Sequence, residues 1–568
     1  MAAATAEHRI DVDHVGVGCE VYVDTVSPEF APLADRIVDA LLASNPTAAM
    51  YAGDHRFDDR LPDYSADAVA SRVTMLREAS DALAAADVDE LDMAEQVDHA
   101  ILQARVDREL FELTEVREHE WNPLAHNPGA LIEALIERPT APPEVRLASL
   151  TARLAAVPDA LATARATLRG MPQIHVETGA RQYAGTAALV RDGVPRLLAD
   201  APVPSEDVIP VADRAVTALE EFATWLRSEA ARDVDRPSPR LGRRVWEARL
   251  WHTLDTELSA TQIFESAQRH LAELSTQLRE TAVALVGGPN DDDTVRRALA
   301  ACSERRPGNA TIVGRAADAL DDTTAFVRQF ELVSLVDDPC IVKEMPEYAR
   351  GVSVAYCDPP GPFETANVPT FYCISPTPAD WSPERIESFY REYNDDLVRN
   401  LTIHEAMPGH YLQLAHARRY RGTSKVRALG FSGPFVEGWA CYAEEIMSGA
   451  GYGGLPLRLQ QLKTAVRSTL NAVIDQMVHC SDMSEDEAMA MMAMRGFQEE
   501  GEAAGKWRRA LLTSTQLSTY FVGYTEVSAI GRARPEGVSL CEWHDRMLAH
   551  SSPPPRHLRT LLGLTAAA

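Results

Sequence analysis

Two short stretches of this chain gather side chains that could do chemistry. The first, LTIHEAMPGHYLQ, runs from Leu401 to Gln413 and holds His404, Glu405 and His410. Imidazole nitrogens and carboxylate oxygens are the ligand types of catalytic zinc, and a carboxylate beside such an ion can serve as general base. The usual helix-borne arrangement is HExxH, with its histidines four residues apart on one face. This chain departs from it. A four-residue step on a helix returns to within about 40° of its starting direction, whereas a six-residue step turns about 240° and climbs about 9 Å. On a straight helix, His404 and His410 could not share an ion. Pro408 alters this, because it lacks the N–H that would bond the carbonyl of His404, and Gly409 accepts almost any backbone angle. The helix is therefore expected to kink, bulge or end within a turn of His404 and so swing His410 back towards it. A straight helix through Gly409 would defeat the metal reading.

The second stretch, FSGPFVEGWACYAEEIM, begins a helix with Pro434 at its first position, and Glu437, Cys441 and Glu444 recur on one face. Catalytic zinc usually keeps three protein ligands, and Glu437, 27 residues beyond His410, is the candidate for the third. Structural roles compete with this reading. His404 continues an apolar stripe through Ile386, Phe389, Tyr393, Leu397 and Leu401, on a long helix that Ser382 caps and Pro383 opens, so it could be a core histidine. Glu437 could be an acid favoured by the helix macrodipole, Glu444 and Glu445 could be helix surface, and Cys441 reads as a small hydrophobe. Spacing alone leaves both readings open.

Taken together, HEAMPGHYLQ and FVEGWACYAEEI resemble the signature pair of the bacterial DUF885 proteins, close to HExxPGHxxQ followed by an EGWAxYxE helix. The likeness extends to NPTAAMYAGDHRFDDRLPDYS (Asn45 to Ser65) and to MPEYARGVSVAY (Met345 to Tyr356), which is similar to that family's strands ahead of the site. The family's fold resembles the helical gluzincin metallopeptidases, such as carboxypeptidase Taq. The resemblance implies that His404, His410 and Glu437 ligate Zn2+ and that Glu405 is the base. It implies a zinc-dependent hydrolase that cleaves an amide or peptide bond, with a peptide or peptide-like small molecule as substrate.

Such a mechanism needs one more donor for the oxyanion. His479, four residues after Asp475, and the phenols of Tyr520 and Tyr524 are the candidates, against a surface helix pair and core aromatics as the plainer roles. The strand Thr370 to Ile374 is expected to supply backbone partners to an extended substrate, as an edge strand does. Two other functions remain in view: a metal-dependent amidase or esterase acting on a non-peptide metabolite, and a non-catalytic helical binding scaffold.

The elements that must position these residues are mostly helices. Residues 1–25 read as a polar lead-in with a short β-like run at Gly18 to Val26, 26–286 as a helical part, and 287–568 as a catalytic part. The latter holds a small sheet (340–374) and the metal-site helices (383–448). The fold class expected is mainly α, one continuous helical body with a small β-sheet beside a cleft. In the first part Leu147, Leu150, Leu154, Val157, Leu161, Ala164 and Leu168 trace a helix ending near Gly170, with Pro158 expected to kink or split it. Ser259 with Gln262 forms a possible capping box, and GGPNDDD (287–293) reads as a solvated turn.

Among 568 residues, 55 Lys and Arg stand against 84 Asp and Glu, a net charge of −29 that disfavours nucleic acid or an anionic membrane as partner. No basic n-region with an apolar run marks the start, and no long uncharged apolar stretch follows. Eight scattered cysteines without a CxxC pair suit a reducing compartment, and the cytoplasm is the expected location.

Overall fold

The structure is a computed structural model that describes residues 30–345, 350, 354–379 and 381–564. The lead-in and the β-like run at Gly18 to Val26 lie outside the described residues.

Helices dominate because apolar residues recur at three- and four-residue spacing along most of the chain. Leu147, Leu150, Leu154, Val157, Leu161 and Ala164 are buried along one face of the helix Pro143–Thr167. Pro158 stays inside that helix without dividing it. The stripe packs against the helices Gln173–Ala199 and Ser205–Ala230, which together enclose one apolar core. The helix Ala260–Val286 starts on the expected capping box, Ser259 and Gln262 each accepting the other's backbone N–H. Its Leu271, Leu274 and Leu278 share a second core with Val466, Leu470 and Val473 of the helix Gly454–Cys480. The acidic run of GGPNDDD is more than a solvated turn. Asp291 accepts a hydrogen bond from the Thr294 N–H at 2.9 Å and caps the helix Asp292–Ser303, whose first turn carries Asp292 and Asp293 at its positive end.

Three strands form the sheet: β1 (Cys340–Glu344), β2 (Ala355–Asp358) and β3 (Thr370–Ile374), in the order β1-β3-β2. β3 pairs parallel with β1 and antiparallel with β2, so it is the central strand and its backbone groups are committed on both sides. The expectation that Thr370 to Ile374 offers an edge to substrate is therefore corrected; β2 is the edge on the site's side. β2 overlaps the end of the stretch Met345 to Tyr356 that resembles the family's strands ahead of the site, and residues 346–349 and 351–353 of that stretch lie outside the described residues. Tyr372 and Ile374 of β3 are buried with Ile403, Ala406, Leu412 and Trp439, and the Tyr372 hydroxyl lies 3.2 Å from Thr402 Oγ1. The sheet thus forms a platform under the helix that carries His404.

That helix is not continuous from Ser382. Ser382 caps Pro383–Glu392, and Asn394 then caps a second helix, Asp395–Glu405, its Oδ1 accepting from the N–H groups of Asp396 and Leu397. Tyr393 and Leu397 are buried on either side of the break, so the apolar stripe persists although the backbone restarts. Among the described residues no helix is long and apolar enough to cross a membrane.

Candidate metal centre

The segment between the two histidines breaks as its proline and glycine require. The first helix ends at Glu405, Ala406 leaves helical geometry at φ −128° and ψ −77°, and the Met407–Pro408 peptide is cis. Gly409 then folds back so closely that its N–H donates to the Ile403 carbonyl at 2.9 Å. A Cβ on Gly409 would lie 2.0 Å from the His404 carbonyl oxygen, so no other residue fits there without moving the backbone. Trp439 Nε1 donates to the Pro408 carbonyl at 2.8 Å and ties the break to the neighbouring helix. His410 opens a new helix, His410–Ala417. The two imidazoles meet with ring centroids 4.7 Å apart and planes at 83°.

Glu437 arrives on the helix Gly433–Gly449, which Ser432 caps and Pro434 helps to open. It is the fifth residue of that helix, deeper than the first turn where acids serve the macrodipole. Its Oε2 lies 3.4 Å from His404 Nε2 and 3.6 Å from His410 Nε2. A tetrahedral ion with bonds of about 2 Å separates its ligands by about 3.3 Å, so these spacings suit one zinc. Glu437 Oε2 is buried without a hydrogen-bond partner among the described residues, as suits a metal-ligand atom. One atom from each of His404, His410 and Glu437 falls within 4.8 Å of the others.

Behind this trio stands a residue that spacing had left as possible surface. Glu444 is buried, places Oε1 2.7 Å from His404 Nδ1, and accepts from Asn400 Nδ2 at 2.6 Å with its other oxygen. A carboxylate on the far nitrogen of a histidine orients the ring and raises its basicity. The signal was present in sequence, since Glu444 sits seven residues after Glu437 and Asn400 four before His404. Cys441 also approaches His404, forming with Glu444 a second group of donor atoms within 4.8 Å. That group shares His404, whose Nδ1 is already engaged.

The electrostatics favour a cation here. Burial opposes charge on His404, but its contacts with Cys441, Glu437 and Glu444 outweigh that and hold its pKa well above the ordinary value. Burial likewise opposes charge on Glu437, yet both histidines keep its carboxyl below the usual range. For Glu405, burial dominates: its pKa is raised, although His410, His404 and the Cys357 backbone N–H pull the other way. That carboxylate therefore faces β2, whose Cys357 it touches.

The remaining candidates separate. The Tyr520 hydroxyl lies 3.3 Å from Arg509 Nη2, and the nearby Glu437 carboxylate, with burial, pushes its pKa up to about 12. Its ring borders a cavity of about 20 Å3 with Cys441 and Glu444. Tyr520 is thus beside the trio. Tyr524 instead donates to Glu445 Oε2 at 3.0 Å and lines an outer cavity of about 260 Å3 with His270 and Arg269. His479 is elsewhere: its Nδ1 accepts the Leu241 N–H at 3.3 Å, and its Nε2–H is shared by the carbonyls of Ala510 and Thr513 at 3.0 Å. Both nitrogens serve backbone groups, so the expected oxyanion role is replaced by the joining of three segments. Two glycines set the distance between the helices of Glu437 and Tyr520: a Cβ on Gly438 would lie 2.4 Å from the Gly523 carbonyl carbon.

The DUF885 family model, described as "Bacterial protein of unknown function", matches residues 46–562. A solved structure described as "a putative lipoprotein of unknown function from Shewanella oneidensis" is 26% identical, with a TM-score of 0.79 over 94% of this chain and 100% of that one. A second, "the putative lipoprotein from Colwellia psychrerythraea", is 16% identical with a TM-score of 0.76, covers 94% of this chain and 98% of its own, and shares the fold. No curated protein matches the chain.

Proposed function

The chain belongs to the DUF885 family, and from that premise we propose that it is a zinc-dependent hydrolase cleaving an amide or peptide bond in a peptide-like substrate. The observation that carries this reading is the spacing of Glu437 Oε2 from the two histidine Nε2 atoms, 3.4 and 3.6 Å, with the buried Glu405 alongside. His404, His410 and Glu437 would hold the ion. When bound, zinc would polarise the scissile carbonyl and lower the pKa of water at the site.

The protein's own groups supply the rest. Glu405, its pKa raised by burial, takes a proton from the attacking water and passes it to the leaving nitrogen. The Cys357 N–H holds that carboxylate in place. Tyr520 presents its O–H to the oxygen that gains charge, with Arg509 behind it. The free edge of β2 offers backbone groups to an extended substrate. On the same footing we place the protein in the cytoplasm, since the seven described cysteines are all free thiols.

The test is zinc content together with hydrolysis of a peptide library by wild type and Glu405→Gln. About one zinc per chain in both, with cleavage only by wild type, is the expected result. Zinc without cleavage would point to a non-peptide amide or ester. A wild type that binds no zinc would leave a helical scaffold.

A further inference from the structure

The helix Glu500–Leu512 presents Glu502, Lys506 and Arg509 about one turn apart on one face, while Ala503, Trp507 and Ala510 are buried on another. The charged face meets Tyr393, Arg467 and Tyr520. Glu502 accepts from the Tyr393 hydroxyl at 3.0 Å and pairs with Arg467, and Arg467 also bonds Glu392 at 3.2 Å. Glu392 in turn holds Lys463 at 2.8 Å. Two carboxylates and two cations therefore balance one another.

Lys506 and Arg509 are left over. Among the described residues Lys506 has no hydrogen bond or ion pair from its ammonium, and burial pushes its pKa down to about 7. Arg509 bonds only neutral oxygens, Gln516 Oε1 at 2.8 and 3.1 Å and the Tyr520 hydroxyl at 3.3 Å. Glu502 acts on both through space but is bonded to Arg467, and in a chain of net charge −29 two shielded cations side by side, with no carboxylate hydrogen-bonded to either among the described residues, are a costly arrangement unless an anion joins them. The position says which anion. Tyr520 borders the cavity beside Cys441 and Glu444, on the helix that supplies Glu437, so Arg509 stands one hydrogen bond behind the metal centre's wall. A planar guanidinium fork backed by an ammonium suits a carboxylate.

We propose that Lys506 and Arg509 form a subsite for the free terminal carboxylate of a peptide-like substrate, which limits cleavage to bonds near that terminus. The carboxylate subsite stands on these residues alone, whereas the cleavage position rests on the hydrolase reading. Calorimetric titration of metal-free protein with N-acetyl-dialanine and with its C-terminal amide tests the subsite without catalysis. Wild type is expected to bind the acid at least about tenfold more tightly than the amide. Arg509→Ala and Lys506→Gln should each reduce that preference, the double variant should abolish it, and Arg509→Lys should retain part.

Equal affinities in wild type, binding of neither ligand at about 10 mM, or a preference that survives the double variant would overturn the proposal. The wild-type comparison decides the matter even where a variant does not fold. Failure of the hydrolase reading looks different: zinc-loaded protein that prefers the acid yet cleaves no peptide keeps the subsite and loses the enzyme.

Discussion

His404 and Glu444 face each other across two helices, Nδ1 2.7 Å from Oε1, although 40 residues separate them in sequence. The contact leaves Nε2 of His404 directed towards Glu437, 3.4 Å from its Oε2. Asn400 secures the other oxygen of Glu444, so the ring orientation is set by a buried chain of three side chains.

Glu444→Gln should keep the fold and lower zinc affinity by about 10- to 100-fold, because the amide is a weaker partner for the His404 N–H. A competition titration against a chelator of known affinity reads this out. Unchanged affinity would remove Glu444 from the centre.

Gly409→Ala places a Cβ 2.0 Å from the His404 carbonyl oxygen and 2.3 Å from that of Ile403, both backbone atoms with little freedom to yield. A loss of about 1–3 kcal/mol in stability is expected, together with weaker zinc binding, since the break that turns His410 must open. Denaturant unfolding and zinc titration of the same sample measure both. Wild-type behaviour would show that the break tolerates a side chain.

Tyr520→Phe removes the phenol that, of the two candidates Tyr520 and Tyr524, lies beside the trio. On the proposed reading kcat falls by about 10²- to 10³-fold while zinc content holds. Steady-state kinetics and metal analysis check this, and an unaltered kcat would return the oxyanion role to another donor.

The Pro408–Gly409 break was legible because proline withholds an N–H and glycine frees the backbone, both local effects, and the family resemblance drew His410 and Glu437 into one set. What depended on distant partners was not. β3 became central through its pairing with β1 and β2, which no local pattern records. The apolar stripe from Ile386 to Leu401 concealed the restart at Asn394, since a capping side chain can end one helix and begin another without disturbing the period. Asp475 and His479 have the spacing of a catalytic pair, but spacing is silent about the carbonyls of Ala510 and Thr513 that claim the imidazole. Lys506 and Arg509 gained meaning only once their neighbours were seen to be paired elsewhere.

Burial holds the pKa of His175 and of His544 down to about 4, against an ordinary value of 6.5. His544 shows why: its Nδ1–H donates to the Leu332 carbonyl at 2.7 Å and its Nε2 accepts from the Tyr442 hydroxyl at 3.0 Å, a pattern only the neutral ring can make. Between pH 6.5 and 4 the unfolded chain binds more protons than the folded one. Stability is therefore full above about pH 6.5 and falls as pH drops through 4, by at most about 3 kcal/mol per histidine. Urea unfolding from pH 7 to 4.5 should show this slope, and His175→Asn should flatten it. An identical slope in the variant would assign the acid sensitivity to other groups.

The most direct measurement of the central claim is anomalous diffraction at the zinc absorption edge from crystals of zinc-loaded protein. The account predicts one peak about 2 Å from His404 Nε2, a His410 ring nitrogen and a Glu437 carboxylate oxygen. A zinc peak elsewhere, or none at this trio in fully loaded protein, would contradict it.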